Sequence, residues 1–258
     1  MRKGPLLTNR DLLILLFISW GPAGDIDIFW KFFQKRDGNR KTRMRVMQNR
    51  LKKMEQIGTI FSTYSPRLKN TIYFLTPIGA QFVSDKFGRE LSHIWAHRSK
   101  KDDIYHDALT AWFTRMTLTE AENSKGLFKI DSIVYERHLK TLQQGKGVCY
   151  PDFQLSILTG NERPIFDVEV DCGTIGRKDF LAKYMSFQNT MLVATNTEAR
   201  MNLLLGYLRD IKCSDTVYLN RVANIREDGF LMGKWLHVAE NRWDYLHPRL
   251  NQDGGNEG

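Results

Sequence analysis

A chain of 258 residues with 42% hydrophobic content, six Trp and fifteen Phe can fill one large core or two ordinary ones, which excludes global disorder. Its three cysteines, Cys149, Cys172 and Cys213, lack CxxC or His-partnered zinc spacing, which excludes a disulfide framework and a zinc ribbon and predicts a reducing, cytoplasmic setting. The formal charge of +9 is uneven: residues 1–90 hold 17 basic and 7 acidic residues, a net +10, and residues 91–258 hold 21 and 22, a net −1.

Such a distribution predicts a phosphate-binding module joined to a neutral second domain. In chain order, Met1-Arg2-Lys3 resembles the charged start of a signal peptide, but Asn9, Arg10 and Asp11 crowd the apolar run and no small-residue cleavage site follows. That run, Leu12–Trp20, is about half of what a membrane span needs, so no membrane partner is expected. Thr8 is a natural N-cap, with Asp11 in the first turn, for a helix buried through Leu12, Leu13, Leu15, Leu16 and Phe17 and ended by Gly21-Pro22. A second helix carries Ile26, Phe29, Trp30 and Phe33, and Asp37-Gly38-Asn39 closes it as a turn. The third helix, Arg40–Gln56, stops near Gly58. It has an apolar stripe of Met44, Met47, Leu51 and Met54 on a surface otherwise basic.

Two β-prone runs, Thr59–Tyr64 and Thr71–Leu75, flank a basic connection that includes Arg67 and Lys69; Thr76-Pro77 then opens a fourth helix. Helix, helix, basic helix and basic hairpin make a winged helix-turn-helix over residues 1–90, whose third helix enters the major groove of double-stranded DNA. Arg43, Gln48 and Arg50 are the candidates for base edges. Arg40, Lys41, Arg45, Lys52, Arg67 and Lys69 complete the DNA-binding set, the lysines holding phosphates. Winged helices also mediate protein contacts, so a partner-binding adaptor stays open.

Residues 91–102 read as a linker. His93 and His97 stand four apart, but no third ligand follows, so no metal pair is expected there. Residues 103–250 form the second domain and 251–258 an uninformative tail. The order there is helix Ile104–Met116, strands Ile130–Arg137, Tyr150–Leu158 and Pro164–Asp171, helix Lys178–Phe187, strand Met191–Thr195, helix Glu198–Ile211 and strand Thr216–Asn220. This predicts a mixed sheet flanked by helices, α/β in the second domain and α+β overall. On the third strand Phe166, Val168 and Val170 face one side and Asp167, Glu169 and Asp171 the other. A solvated sheet face would explain the acids alone. With Asp152 starting the neighbouring strand, three carboxylates converge, and Mg²⁺ or Mn²⁺ is the cation that such oxygen ligands hold.

Pro151-Asp152 followed by Glu169-Val170-Asp171 resembles the PD-(D/E)xK nuclease signature, carried by restriction-endonuclease-like domains with a helix-strand-strand-strand-helix-strand core. More narrowly, His106-Asp107, Tyr150-Pro151-Asp152, Val168–Thr174 and Leu181-Ala182-Lys183-Tyr184 resemble the replication-relaxation family and its relatives, the C class of plasmid mobilisation relaxases. The resemblance implies metal ligation by Asp152 and Glu169, with Asp171 third, where the general signature has lysine. It implies that the lysine migrates to the next helix, Lys183 being favoured over Lys178. Glu136, from the first strand, and His106 are further candidates. No His-x-His cluster accompanies the tyrosines, so metal-assisted hydrolysis is expected rather than a tyrosyl intermediate, with Tyr150 and Tyr184 left open. The implied function is DNA strand nicking in plasmid mobilisation or replication, at a plasmid origin and with relaxosome or coupling proteins. A homodimer stays open, since site-specific winged helices often pair on symmetric DNA. The alternative is a site-specific DNA-binding regulator with a degenerate nuclease-like domain.

Overall fold

The computed structural model describes residues 7–34, 39–96, 103–143, 149–212 and 216–246. The expected turn at Asp37-Gly38, His97 and the rest of the linker through residue 102, Cys213, and the tail lie outside them. The protein is mixed α+β, and divides into two compact units, Met1–Arg115 and Met116–Gly258.

In the first unit, helix α1 (Asn9–Ile18) starts at Thr8 in a reciprocal cap: the Thr8 hydroxyl accepts from the Asp11 amide, and the Asp11 carboxylate accepts from the Thr8 amide at 2.6 Å. Helical spacing turns Ile14, Leu15 and Ile18 inward and leaves Leu13 47% exposed. The run expected to be buried throughout is therefore buried on one face. Strand β1 (Ala23–Gly24) and helix α2 (Asp25–Phe32) follow. Ile28, Phe29 and Phe33 are buried, whereas Ile26 and Trp30, expected inside, are exposed because they fall on the outer side of so short a helix. Helix α3 (Arg40–Ile57) is capped by Asn39 and stops at Gly58, whose φ of 79° lies in the left-handed region that favours glycine. Met47, Leu51 and Met54 are buried and Met44 partly so, as the stripe predicts.

Strands β2 (Ile60–Ser65) and β3 (Asn70–Leu75) pair antiparallel, with Ile60 opposite Leu75, and β1 adds to the free edge of β3. Helix α4 (Pro77–Phe87) approaches this hairpin so closely that a Cβ on Gly79 would stand 2.0 Å from the Thr59 carbonyl oxygen. After a 3₁₀ turn at Leu91–His93, the Trp95 amide donates to the Ser19 carbonyl at 2.9 Å, so the expected linker begins as packed chain.

Helix α5 (Ile104–Asn123) runs past its expected end at Met116 and crosses the division between the units. Its first half belongs to the first unit. Ile104 clusters with Ile72 and Phe74, the Arg67 guanidinium stacks 3.8 Å from the Tyr105 ring centre, and Arg115 donates to the Gly21 and Pro22 carbonyls, both at 3.1 Å.

The second unit continues with β4 (Lys129–Tyr135), α6 (Glu136–Gln143), β5 (Phe153–Leu158), β6 (Ile165–Asp171), α7 (Arg177–Ser186), β7 (Thr190–Thr195), α8 (Glu198–Asp210), β8 (Val217–Arg221), α9 (Val222–Asp228), β9 (Lys234–His237) and β10 (Arg242–Tyr245). These strands form one sheet in the order β10-β9-β8-β7-β6-β5-β4; β6–β7 and β7–β8 are parallel and the other pairs antiparallel. The expected mixed sheet with helices is present. Elements α6, α9, β9 and β10 had no counterpart in the sequence reading.

Register sorts the two sheet faces. Phe153 and Leu155 pair with Val168 and Phe166, and Phe153 continues into an aromatic row with Phe230 and Trp235. Glu120, late in α5, fastens that row from below: its carboxylate accepts from the Phe230 and Leu231 amides at 2.5 and 2.7 Å, while burial pushes its proton affinity up. On the opposite face Asp167, Glu169 and Asp171 align with Met191, Val193 and Thr195 of β7. There α7 and α8 lay Phe180, Leu204 and Leu208 over Met191 and Val193. Among the described residues no helix is long and apolar enough to cross a membrane.

Candidate active site

The three alternating acids of β6 are all buried, with side chains under α7 and α8, so the face is not solvated. Buried carboxylates require hydrogen bonds or opposite charge, and each acid meets this requirement differently.

Asp167 is held by amides. Gln154 Nε2 donates to it at 3.0 Å, and Asn189 donates through its backbone at 3.2 Å and its side chain at 3.1 and 3.2 Å. Glu169 is paired through Oε1 with the ammonium of Lys183, three residues after Phe180 anchors α7. Asp171 is gripped by Arg200 of α8: Nε stands 3.1 Å from both carboxylate oxygens, Nη2 2.7 Å from one of them, and the same Nη2 reaches the Ile175 carbonyl at 2.5 Å. The Gly173 amide adds a fourth bond to Asp171 at 2.6 Å.

Asp152 sits just before β5, where three elements meet. Its carboxylate accepts from the Val170 amide of β6 at 2.6 Å, and its backbone carbonyl accepts from the Glu136 amide at 3.0 Å, at the start of α6. Glu136, expected on a strand, instead opens a helix. An acid in a first turn is favoured there by the helix dipole, and its side chain pairs with Lys140 at 2.6 Å on the surface.

Electrostatics unites these groups around Lys183. Burial alone would lower its proton affinity, but Glu169, Asp152 and Glu136 together raise it above the ordinary lysine range. Asp152, Glu169, Glu136 and Lys183 therefore share one local field. Lys178, the other lysine considered, is exposed. His106 belongs to the first unit, near the start of α5, with Nδ1 3.3 Å from Asp107 Oδ1. Tyr150 is buried beside Pro151 and Tyr184 packs against the apolar layer of α7 and α8. Among the described residues no group of three or more His, Cys, Asp or Glu side chains is gathered as a metal cage.

Arg200, Gln154 and Asn189 escaped the sequence reading. Gln154 meets its acid through sheet register, Asn189 from the connection between α7 and β7, and Arg200 from α8, and no local motif announces such pairings.

The basic set of the first unit also divides. Lys41, Arg45, Gln48 and Lys52 are exposed at intervals of four, three and four, one continuous face of α3. Arg43 turns inward, bonding the Gln34 carbonyl and stacking 5.9 Å from the Phe29 ring centre. Arg50 pairs with the wholly buried Asp11. Burial pushes the Asp11 carboxyl up, but the Arg50 hydrogen bond and the Thr8 cap more than offset it, and it titrates below the ordinary 3.8. Arg40 lies 5.7 Å from the Trp30 ring centre and is exposed, as are Arg67 and Lys69 between β2 and β3.

No family model, no curated protein and no solved structure matches the chain.

Proposed function

We propose that the protein is a metal-dependent DNA strand-nicking enzyme of the cytoplasm, with a winged-helix reader in the first unit and a PD-(D/E)xK-like nuclease in the second. The observation that carries this reading is the cluster of Asp152, Glu169 and Lys183 in one field, contributed by the residue before β5, by β6 and by α7 of an α5-β4-α6-β5-β6-α7-β7 order, in which α6 interrupts the expected helix-strand-strand-strand-helix-strand core. Those are the positions at which the signature places two acids and a migrated lysine. The reading carries with it kinship to the replication-relaxation proteins and work at a plasmid origin.

The donor set suits Mg²⁺ or Mn²⁺. Mg²⁺ keeps several waters and is bound through one or two carboxylates and substrate phosphate, and Asp152, just before β5, and Glu169 of β6 would supply the two carboxylates. Asp171, placed third by the sequence, is assigned here to structure, because Arg200 and Gly173 take up its oxygens. A cation held at this edge would polarise the scissile phosphodiester and lower the pKa of an attacking water. Lys183 keeps its proton throughout the physiological range, so it is not the base. It sets a fixed positive charge against the phosphate as negative charge develops.

The test is supercoiled plasmid incubated with protein and Mn²⁺, with and without EDTA. Open circles are expected with the metal and absent with EDTA or with Glu169→Ala. Plasmid left supercoiled under all conditions overturns the nuclease. Capture of Asp171 by Arg200 favours a second reading, a DNA-binding regulator with an inert nuclease-like unit; it predicts DNA binding without cleavage.

For the reader, Lys41→Ala or Lys52→Ala is expected to weaken binding to all duplexes alike and to flatten the log affinity against log salt slope by about one per lost phosphate contact. Arg45→Ala and Gln48→Ala should instead relax sequence preference. Fluorescence anisotropy across a salt series checks both, and unchanged slopes would move the interface elsewhere.

A further inference from the structure

Beside the acidic edge lies a cleft of about 200 Å³ that the nicking chemistry does not use, lined by Tyr150, Pro151, Gln154, Asp167, Phe187 and Asn189 among others. Its floor is the amide and carboxylate network already described. A carboxylate only accepts hydrogen bonds, so Asp167 forces Gln154 and Asn189 to present their nitrogens to it. Their carbonyl oxygens are thereby turned to the side away from Asp167, and both side chains line the cleft. Tyr150 and Phe187 add aromatic surface to the wall.

The position matters as much as the lining. Asp167 lies two residues before Glu169 on the same face of β6, about 7 Å along the strand. Tyr150 and Pro151 directly precede Asp152, and Phe187 follows Lys183 by one helical turn. A strand whose phosphate rests at Asp152, Glu169 and Lys183 thus has a neighbouring base within reach of the cleft.

We infer that this cleft receives one unstacked nucleobase of the cut strand, a base with an exocyclic amino group whose hydrogens are taken by the Gln154 and Asn189 carbonyls. The inference rests on the nicking reading for the placement of the strand, and adds to it a base preference beside the scissile phosphate. Aromatic walls supply stacking that every base shares, whereas the paired acceptors favour adenine or cytosine over thymine, which offers no amino group.

The test uses the full chain with EDTA and fluorescein-labelled single strands, oligo-dT against oligo-dT carrying one central dA or dC. Phosphate contacts are equal in all three, so they cancel in the comparison. Wild type is expected to bind the dA and dC strands about tenfold more tightly than oligo-dT. Gln154→Leu should bring them to the oligo-dT level and leave oligo-dT binding within twofold. Asn189→Leu, which removes the second acceptor, should act in the same direction. Equal binding of all strands by wild type, or a preference that survives Gln154→Leu, overturns the inference. Metal-dependent nicking by a protein without the preference sinks the cleft assignment alone; a preference without nicking sinks the nuclease reading alone.

Discussion

Lys183→Met is expected to slow metal-dependent nicking about 100- to 1,000-fold, the loss typical of removing one fixed charge from a site where negative charge develops. The substitution also has a cost in folding. Glu169 is 1% exposed and loses its cation, and a buried pair broken from one side destabilises by about 3–5 kcal/mol. Activity alone would therefore not separate catalysis from collapse. Thermal unfolding with and without Mg²⁺ or Mn²⁺ does. A cation held by Asp152 and Glu169 replaces the missing ammonium, so the variant's midpoint should rise with metal by more than that of wild type. Restored folding with nicking still depressed is the signature of a catalytic lysine. A variant that nicks at the wild-type rate removes Lys183 from the reaction, and midpoints indifferent to the cation in both proteins leave a structural ion pair in place of a metal site.

Arg50→Met tests the opposite claim, that a basic residue on α3 belongs to folding rather than to DNA. Asp11 is fully buried and the Arg50 side chain is 24% exposed, so the loss is expected at about 3–5 kcal/mol. The pH dependence gives the decisive sign. In wild type the Asp11 carboxyl titrates below 3.8, so its stabilisation is present above that pH and is lost as pH falls through the folded value. Without Arg50, burial is opposed only by the Thr8 hydrogen bonds, and the carboxyl's proton affinity rises relative to wild type. The variant then takes up its proton at a higher pH than wild type, so the cost of losing Arg50 is full at neutral pH and shrinks on acidification. Denaturant unfolding at neutral pH and near pH 4 should therefore show the gap between variant and wild type narrowing on acidification. A variant as stable as wild type that has lost DNA affinity would return Arg50 to the base-reading set.

Most of the first unit was legible because its signals are local. The Thr8 cap, the Met44–Met54 stripe, Gly58 and Pro77 each act within a few residues, and each lies where the pattern put it. The mixed sheet was legible for the same reason, through alternation on β6 and helical spacing after it. Exposure of Leu13, Ile26 and Trp30 was not, since several faces of a short apolar helix look alike until a partner selects one. Helix α6 was hidden because the β-prone run of Ile133, Val134 and Tyr135 passes into Glu136 without a turn residue to mark where the chain turns helical. The site divides similarly. The acids and Lys183 sit in a readable motif, while Arg200, Gln154 and Asn189 are set by register across strands and by helices returning from distant sequence.

Helix α5 makes the two units poor candidates for separation. A fragment ending at residue 90 or 103 would expose Ile72 and Phe74 and leave the Gly21 and Pro22 carbonyls without Arg115. A fragment beginning at Met116 would start in mid-helix, a few residues before Glu120 takes the Phe230 and Leu231 amides. Any division by protease or by recombination must therefore damage one hydrophobic core or shorten the helix that both require. The two units are thus tied through one helix into a single piece of chain that is not cut cleanly.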